Sequence, residues 1–120
     1  MYRRTAYKGA VRKKAMQEPT FLILTALAAG AQHGYGIMTD VARISDGRVR
    51  LRAGTLYAAL DRLRADGLVE GDKEEIVDGR LRRYYRITPE GTHQLAAEVE
   101  HMRANVAAAA FRLGMAGGTA

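Results

Sequence analysis

The chain has no cysteine, which rules out a disulfide framework or thiolate metal site and fits a cytoplasmic protein. No apolar run approaches the ~20 residues that cross a bilayer. The N-terminus is charged and lacks the apolar stretch of a secretory signal, so neither a membrane partner nor export is expected. Histidine occurs only at His33, His93 and His101, and none stands at ligand spacing with carboxylates, so no metal is expected. No glycine-rich phosphate loop follows a strand, and no nucleophile motif appears. The sequence thus offers nothing for an enzyme or a cofactor. Proline stands only at positions 19 and 89, and each suits the first position of a helix.

What is present is positive charge, unevenly placed. The 120 residues suit one domain with an appended helix, and a 48% apolar fraction can fill a small core. Net charge is 19 − 13 = +6. Residues 1–17 carry Arg3, Arg4, Lys8, Arg12, Lys13 and Lys14 and no acid, which leaves 13 bases and 13 acids in the rest. A second, milder excess lies between Arg48 and Arg86, with ten bases against seven acids. Two basic regions suggest a polyanionic partner; a solvated tail is the alternative for the first.

Residues 1–17 read as a basic arm with Tyr2 and Tyr7 interleaved, with room for a short helix near Val11–Met16. Such an arm tracks phosphates, enters a minor groove, or packs on a dimer partner. From Glu18 to Gly30 the chain is apolar almost all round and predicts a buried helix. Ala31–Gly34 reads as a turn. Tyr35–Ile44 predicts a second helix with Ile37, Met38, Val41 and Ile44 inward, and Ser45–Gly47 a second turn. Arg48–Arg52 alternates basic and apolar residues, which suits a short strand with Val49 and Leu51 inward.

The next stretch, Arg52–Val69, organises the rest. Leu56, Leu60 and Leu63 recur at helical spacing with Ala59 beside them. Thr55 is a candidate N-cap and Gly67 a C-terminal stop. The outer face presents Thr55, Ala58 and Arg62, with Tyr57 at its edge. A helix that enters a major groove has this build: narrow, with donors aimed at base edges and phosphates. A generic charged surface helix fits the same pattern. Leu68–Val77 and Leu81–Thr88 flank Asp78-Gly79, a strong hairpin signal because both turn positions need positive φ. Helix, helix, short strand, helix, hairpin is the winged helix-turn-helix order, so the expected class is mainly α with a small β hairpin (α+β).

Thr88-Pro89 opens a last helix that runs to about Gly114. Leu95, Val99, Met102, Val106, Ala109 and Leu113 follow one another at heptad spacing. That narrow apolar seam closes over its own domain or pairs with a second copy. The domain division is therefore 1–17 arm, 18–88 winged helix, 89–114 dimerisation helix and 115–120 tail.

Five segments carry a resemblance: residues 19–24 (Pro-Thr-Phe-Leu-Ile-Leu), 33–37 (His-Gly-Tyr-Gly-Ile), 54–63 (Gly-Thr-Leu-Tyr-Ala-Ala-Leu-Asp-Arg-Leu), 66–69 (Asp-Gly-Leu-Val) and 82–91 (Arg-Arg-Tyr-Tyr-Arg-Ile-Thr-Pro-Glu-Gly). In this order the chain resembles the PadR family of transcriptional regulators, in its short subgroup with a single C-terminal helix. The resemblance implies a winged helix-turn-helix homodimer that binds double-stranded DNA, usually as a repressor. Some members respond to phenolic acids or hydrophobic drugs, so it also implies a small hydrophobic or aromatic effector. By the same resemblance Tyr35 touches a phosphate, Thr55 and Tyr57 lie at the DNA surface, and Arg62 adds a contact. The wing residues Gly79, Arg80 and Arg82 meet backbone or minor groove. Leu95, Val99, Met102, Val106 and Leu113 would form the dimer seam. Two rival functions remain at this stage: a winged-helix protein-interaction module, and a nucleic-acid binder without sequence preference.

Overall fold

The computed structural model describes residues 16–115, and the expectations for the arm before Met16 lie outside the described residues. The elements are α1 (Glu18–Ala28), β1 (Gln32–His33), α2 (Gly34–Ile44), α3 (Ala53–Ala65), β2 (Val69–Val77), β3 (Arg80–Ile87) and α4 (Pro89–Arg112). The strands form one antiparallel sheet in the order β1-β3-β2.

Leu22, Ile23, Leu24, Ala26 and Leu27 of α1 are all buried, as its nearly continuous apolar sequence requires. Ile37 and Val41 of α2 and Leu56, Ala59, Leu60 and Leu63 of α3 meet them, and Val69, Tyr85 and Leu95 complete the core. The leucine spacing read from the sequence is therefore the inner stripe of α3, and the face opposite is left to solvent.

The hairpin forms at the expected place. Asp78 and Gly79 have φ of 52° and 76°, the geometry of a tight turn whose twist matches its strands. Glu70 pairs with Arg86, Glu74 with Arg83 and Ile76 with Leu81, with an irregularity between Gly71 and Glu74. The base of the hairpin is tied to α4 by Thr88. Its hydroxyl accepts from the Gly91 amide at 3.0 Å and donates to the Gly67 carbonyl at 2.7 Å. A Cβ at Gly91 would run into the Leu68 carbonyl oxygen and stand 2.8 Å from Ile87 Cγ1, so α4 starts in direct contact with the hairpin.

Four local expectations change. Arg48–Arg52 is not a strand, although Val49 and Leu51 do turn toward the core. The segment has no ladder to join; the buried Ser45 hydroxyl holds it by accepting from the Val49 amide at 3.0 Å. The third strand lies instead at Gln32–His33, opposite Tyr85 and Tyr84, where a turn was expected. Two residues are too few to show alternation. Thr55 is not an N-cap, because α3 begins at Ala53 with Arg52 in the cap position. Ile44 is exposed rather than inward, since α2 ends there.

Candidate nucleic-acid interface

The DNA-contact residues singled out from the sequence sit on the outer face of α3, in the first turn of α2 and at the hairpin tip, and two clefts gather most of them. On α3, Thr55 and Arg62 are exposed and Tyr57 is 43% exposed. Tyr35, in the first turn of α2, is 71% exposed. Arg80 is exposed at the hairpin tip and Arg82 is half-buried. A cleft of about 600 Å³ brings Tyr35 and Tyr57 together with Arg80, Arg82 and Arg83. A second groove, of about 620 Å³, lies between the start of α1 and α3 and holds Gln17, Thr20, Arg52, Thr55 and Arg62. The sequence-derived residues therefore fall into two sets: Tyr35, Tyr57, Arg80 and Arg82 around the first, Thr55 and Arg62 on the second. Gly79 lies at the turn beside Arg80 with open space around it.

Ion pairing divides the basic residues. Arg48 is clasped by Glu18, with its shorter contact at 2.8 Å, and that contact lowers the Glu18 pKa. Arg86 reaches Glu70 and Asp72, each at 2.8 Å, and both contacts raise its pKa. Arg83 pairs with Glu74 and Arg43 with Asp40. Among the described residues, Arg50, Arg52, Arg62, Arg64, Arg80 and Arg82 form no ion pair. These six stand in the loop before α3, on α3, and at the hairpin tip. A guanidinium left without a carboxylate keeps its donors for an incoming anion. The base excess between Arg48 and Arg86 was legible in the sequence; which arginines are neutralised was not, because the pairs cross strands or join distant segments.

His33 was missed as anything but part of a motif. It sits where β1 becomes α2, and its Nδ1 accepts from the Gly36 amide at 3.2 Å, capping the helix. Its ring stacks near Tyr35, with centroids 6.5 Å apart, and meets the Tyr84 ring edge-on at 5.4 Å. The Tyr84 hydroxyl donates to Glu75 at 2.6 Å, which lowers the Glu75 pKa. Burial, then the charge of Arg82, hold the His33 pKa below its ordinary value against the opposing pull of Glu75. Both influences keep the imidazole neutral, the form that can accept at Nδ1.

On α4, Leu95 belongs to the domain's own core and Val99 is half-buried. The free part of the heptad seam is Met102, Val106 and Leu113, which are 43%, 65% and 74% exposed. Among the described residues no cluster of three or more His, Asp or Glu side chains could hold a metal ion, and no helix is long and apolar enough to cross a membrane.

Residues 23–97 match the transcriptional regulator PadR-like family. A transcriptional regulator of Mycobacterium tuberculosis is 40% identical over 76 residues, which cover 63% of this chain and 67% of that protein. A solved transcriptional regulator from Clostridium thermocellum is 29% identical, with a TM-score of 0.63 over 72% of this chain and 83% of its own. Bacillus subtilis PadR, solved in complex with operator DNA, shares the fold at a TM-score of 0.62 with 19% identity, over 69% of this chain and 47% of its own. The matched span runs from within α1 to the early part of α4, and so includes α2, α3 and the β2–β3 hairpin. On this shared sequence and architecture, the protein belongs to the PadR-like family of transcriptional regulators, a family of regulators and not of enzymes.

Proposed function

We propose that the protein binds double-stranded DNA sequence-specifically as a homodimer, and represses transcription from an inverted-repeat operator. The observation that carries this reading is the clustering of Arg50, Arg52, Arg62, Arg64, Arg80 and Arg82, none of them in an ion pair, on α3, its leading loop and the wing tip; elsewhere among the described residues only Lys73 and Arg112 are likewise unpaired. In this reading residues 18–88 are the DNA-binding unit. Helix α3 enters the major groove with Thr55 and Arg62 toward the bases, Tyr35 meets a phosphate, and the wing lays Arg80 and Arg82 along the backbone, with Gly79 allowing close approach. The complex of Bacillus subtilis PadR with operator DNA supports the same class of ligand.

Residues 89–114 supply the two-fold contact through Met102, Val106 and Leu113, with Val99 at the edge and Leu95 anchoring the helix to its own domain. Two recognition helices related by a dyad meet successive major grooves ~34 Å apart, which is why the operator is an inverted repeat. A dimer seated across a promoter blocks it. The groove beside Thr55 and Arg62, about 620 Å³, has the size of a small-molecule site. A small hydrophobic or aromatic effector seated there would compete with DNA for the same side chains.

Selection of bound duplexes from random DNA tests the reading, and an inverted repeat is the expected product. Arg62→Ala should then weaken operator binding by roughly 1–3 kcal/mol if Arg62 reads a base. If Arg62 meets phosphate instead, operator and random DNA weaken alike and the salt slope drops by about 1. Enrichment of no sequence would leave a general nucleic-acid binder; no DNA affinity at all would favour a protein-interaction module.

A further inference from the structure

Tyr57 is the one bulky side chain at the edge of the α3 recognition face, and its ring does not stand free. A Cβ added at Gly34 would fall on the Tyr57 hydroxyl, with the ring carbon Cζ at 2.7 Å and Cε1 at 3.3 Å. The hydroxyl end of the phenol therefore abuts the first residue of α2. Gly34 is buried beneath it. Gly34 has no positive φ, so its backbone conformation is open to any residue. Alanine at such a position in a helix is ordinarily neutral to stabilising. What requires glycine here is the space taken by Tyr57.

The position of this contact gives it a consequence. The inner stripe of α3, Leu56, Ala59, Leu60 and Leu63, is a row of aliphatic side chains. Such a row holds a helix against a core, and contacts to the side of the row add to what fixes its fine rotation about the helix axis. Tyr57 lies off that row and reaches sideways to the start of α2, so it acts as a lateral stop. The side chains whose aim depends on that rotation are Thr55 and Arg62. A shift of about 1 Å at a recognition helix separates a bidentate contact from none.

We infer that Tyr57 is a positioning residue that sets the rotation of the recognition helix by lying against Gly34, and that sequence discrimination depends on this contact rather than on a bond from the Tyr57 hydroxyl to DNA. The inference rests on the proposed DNA-binding function.

The test is a double-mutant cycle of Gly34→Ala and Tyr57→Ala, with Tyr57→Phe alongside, in the full chain. Each protein is measured for thermal stability, and for affinity to two probes: the duplex selected by the unmodified protein and a random duplex of the same length. Gly34→Ala should lower the selected-to-random affinity ratio about tenfold or more while leaving the salt slope on random DNA unchanged. In the Tyr57→Ala background the same Gly34→Ala change should alter neither the ratio nor the melting temperature further. Tyr57→Phe removes the hydroxyl nearest Gly34 and keeps the ring, so Gly34→Ala should cost less in the Tyr57→Phe background than in the unmodified protein. Additive effects of the two alanine changes would overturn the inference, because they would mean that the residues act separately. Equal loss in Tyr57→Phe and Tyr57→Ala, with Gly34→Ala still costing its full tenfold in the Tyr57→Phe background, would overturn it too, in favour of a direct hydroxyl contact with DNA. The stability arm of the cycle needs no DNA. A coupled pair in that arm, together with an unmodified protein that selects no sequence, would sink the DNA-binding reading and leave the Gly34–Tyr57 contact established.

Discussion

His33 carries two duties, and only the cap depends on the imidazole lone pair. Its Nδ1 caps α2 through the Gly36 amide, and its backbone pairs β1 with β3 opposite Tyr84. Burial and Arg82 lower its pKa, with Glu75 opposing, so the folded state binds the proton less readily than the unfolded chain does. The sign follows from linkage: the unfolded chain takes up the proton first as pH falls. The stabilisation is fully present above the ordinary imidazole value of ~6.5 and is lost as pH drops through the lowered folded value. His33→Asn keeps a capping side chain that does not titrate in this range. Melting temperatures should therefore fall more steeply between pH 7 and pH 5 for the natural protein than for His33→Asn. Parallel curves would mean that the cap does not titrate. The sequence shows His33 in its motif but not this duty, because the partners Arg82 and Glu75 lie more than forty residues away along the chain.

At the scale of elements, one hydroxyl ties the start of α4 to the α3-to-β2 connection. Thr88 caps α4 and also bonds the Gly67 carbonyl at the end of the α3-to-β2 connection. Thr88→Ala should cost roughly 1–2 kcal/mol in chemical denaturation. Thr88→Ser, which keeps both bonds, should recover most of that. A cost below a few tenths would mean that solvent replaces both bonds. The element order was legible for a physical reason: α1, α3 and the hairpin each carry a signal that is local, whether apolar periodicity or a turn demanding positive φ. The misplaced strand shows the limit. Arg48–Arg52 has the alternation of a strand and Val49 and Leu51 do face inward, yet a strand exists only when another offers its amides and carbonyls. Gln32–His33 has no pattern and is a strand because Tyr84 and Tyr85 lie beside it.

For the whole molecule, the exposed end of α4 and the basic arm matter most. Met102, Val106, Phe111 and Leu113 remain exposed on a single chain, an apolar surface that a second copy would cover. Met102→Glu with Val106→Glu should give a folded monomer that no longer binds the operator, since neither side chain supports the core. Sedimentation showing the unmodified protein already monomeric at micromolar concentration would remove the dimer. The arm enters the described fold at Met16 and Gln17, and Gln17 lines the groove that holds Thr55 and Arg62. The arm itself carries six bases and no acid. Deleting residues 1–14 should weaken operator and random DNA alike, and each lost phosphate contact should flatten the log–log salt dependence by about 0.9. An unchanged slope with a weaker dimer would instead place the arm on the partner subunit.

The sequence by itself determined the class of fold, the inner stripe of α3, the hairpin turn and the uneven charge, because each is written in neighbouring residues through helical period, turn stereochemistry or simple composition. It also placed Thr55, Tyr57 and Arg62 on one helix. Only the tertiary structure decided which arginines keep free donors, since neutralisation depends on carboxylates brought in from other strands and segments. It also decided that Leu95 serves its own core while Val106 and Leu113 stay exposed. A heptad spacing fixes which residues share a face of a helix but not what lies against that face. The same holds for Gly34 and Tyr57: the space a glycine leaves is defined by the side chain that fills it, and that side chain comes from another helix.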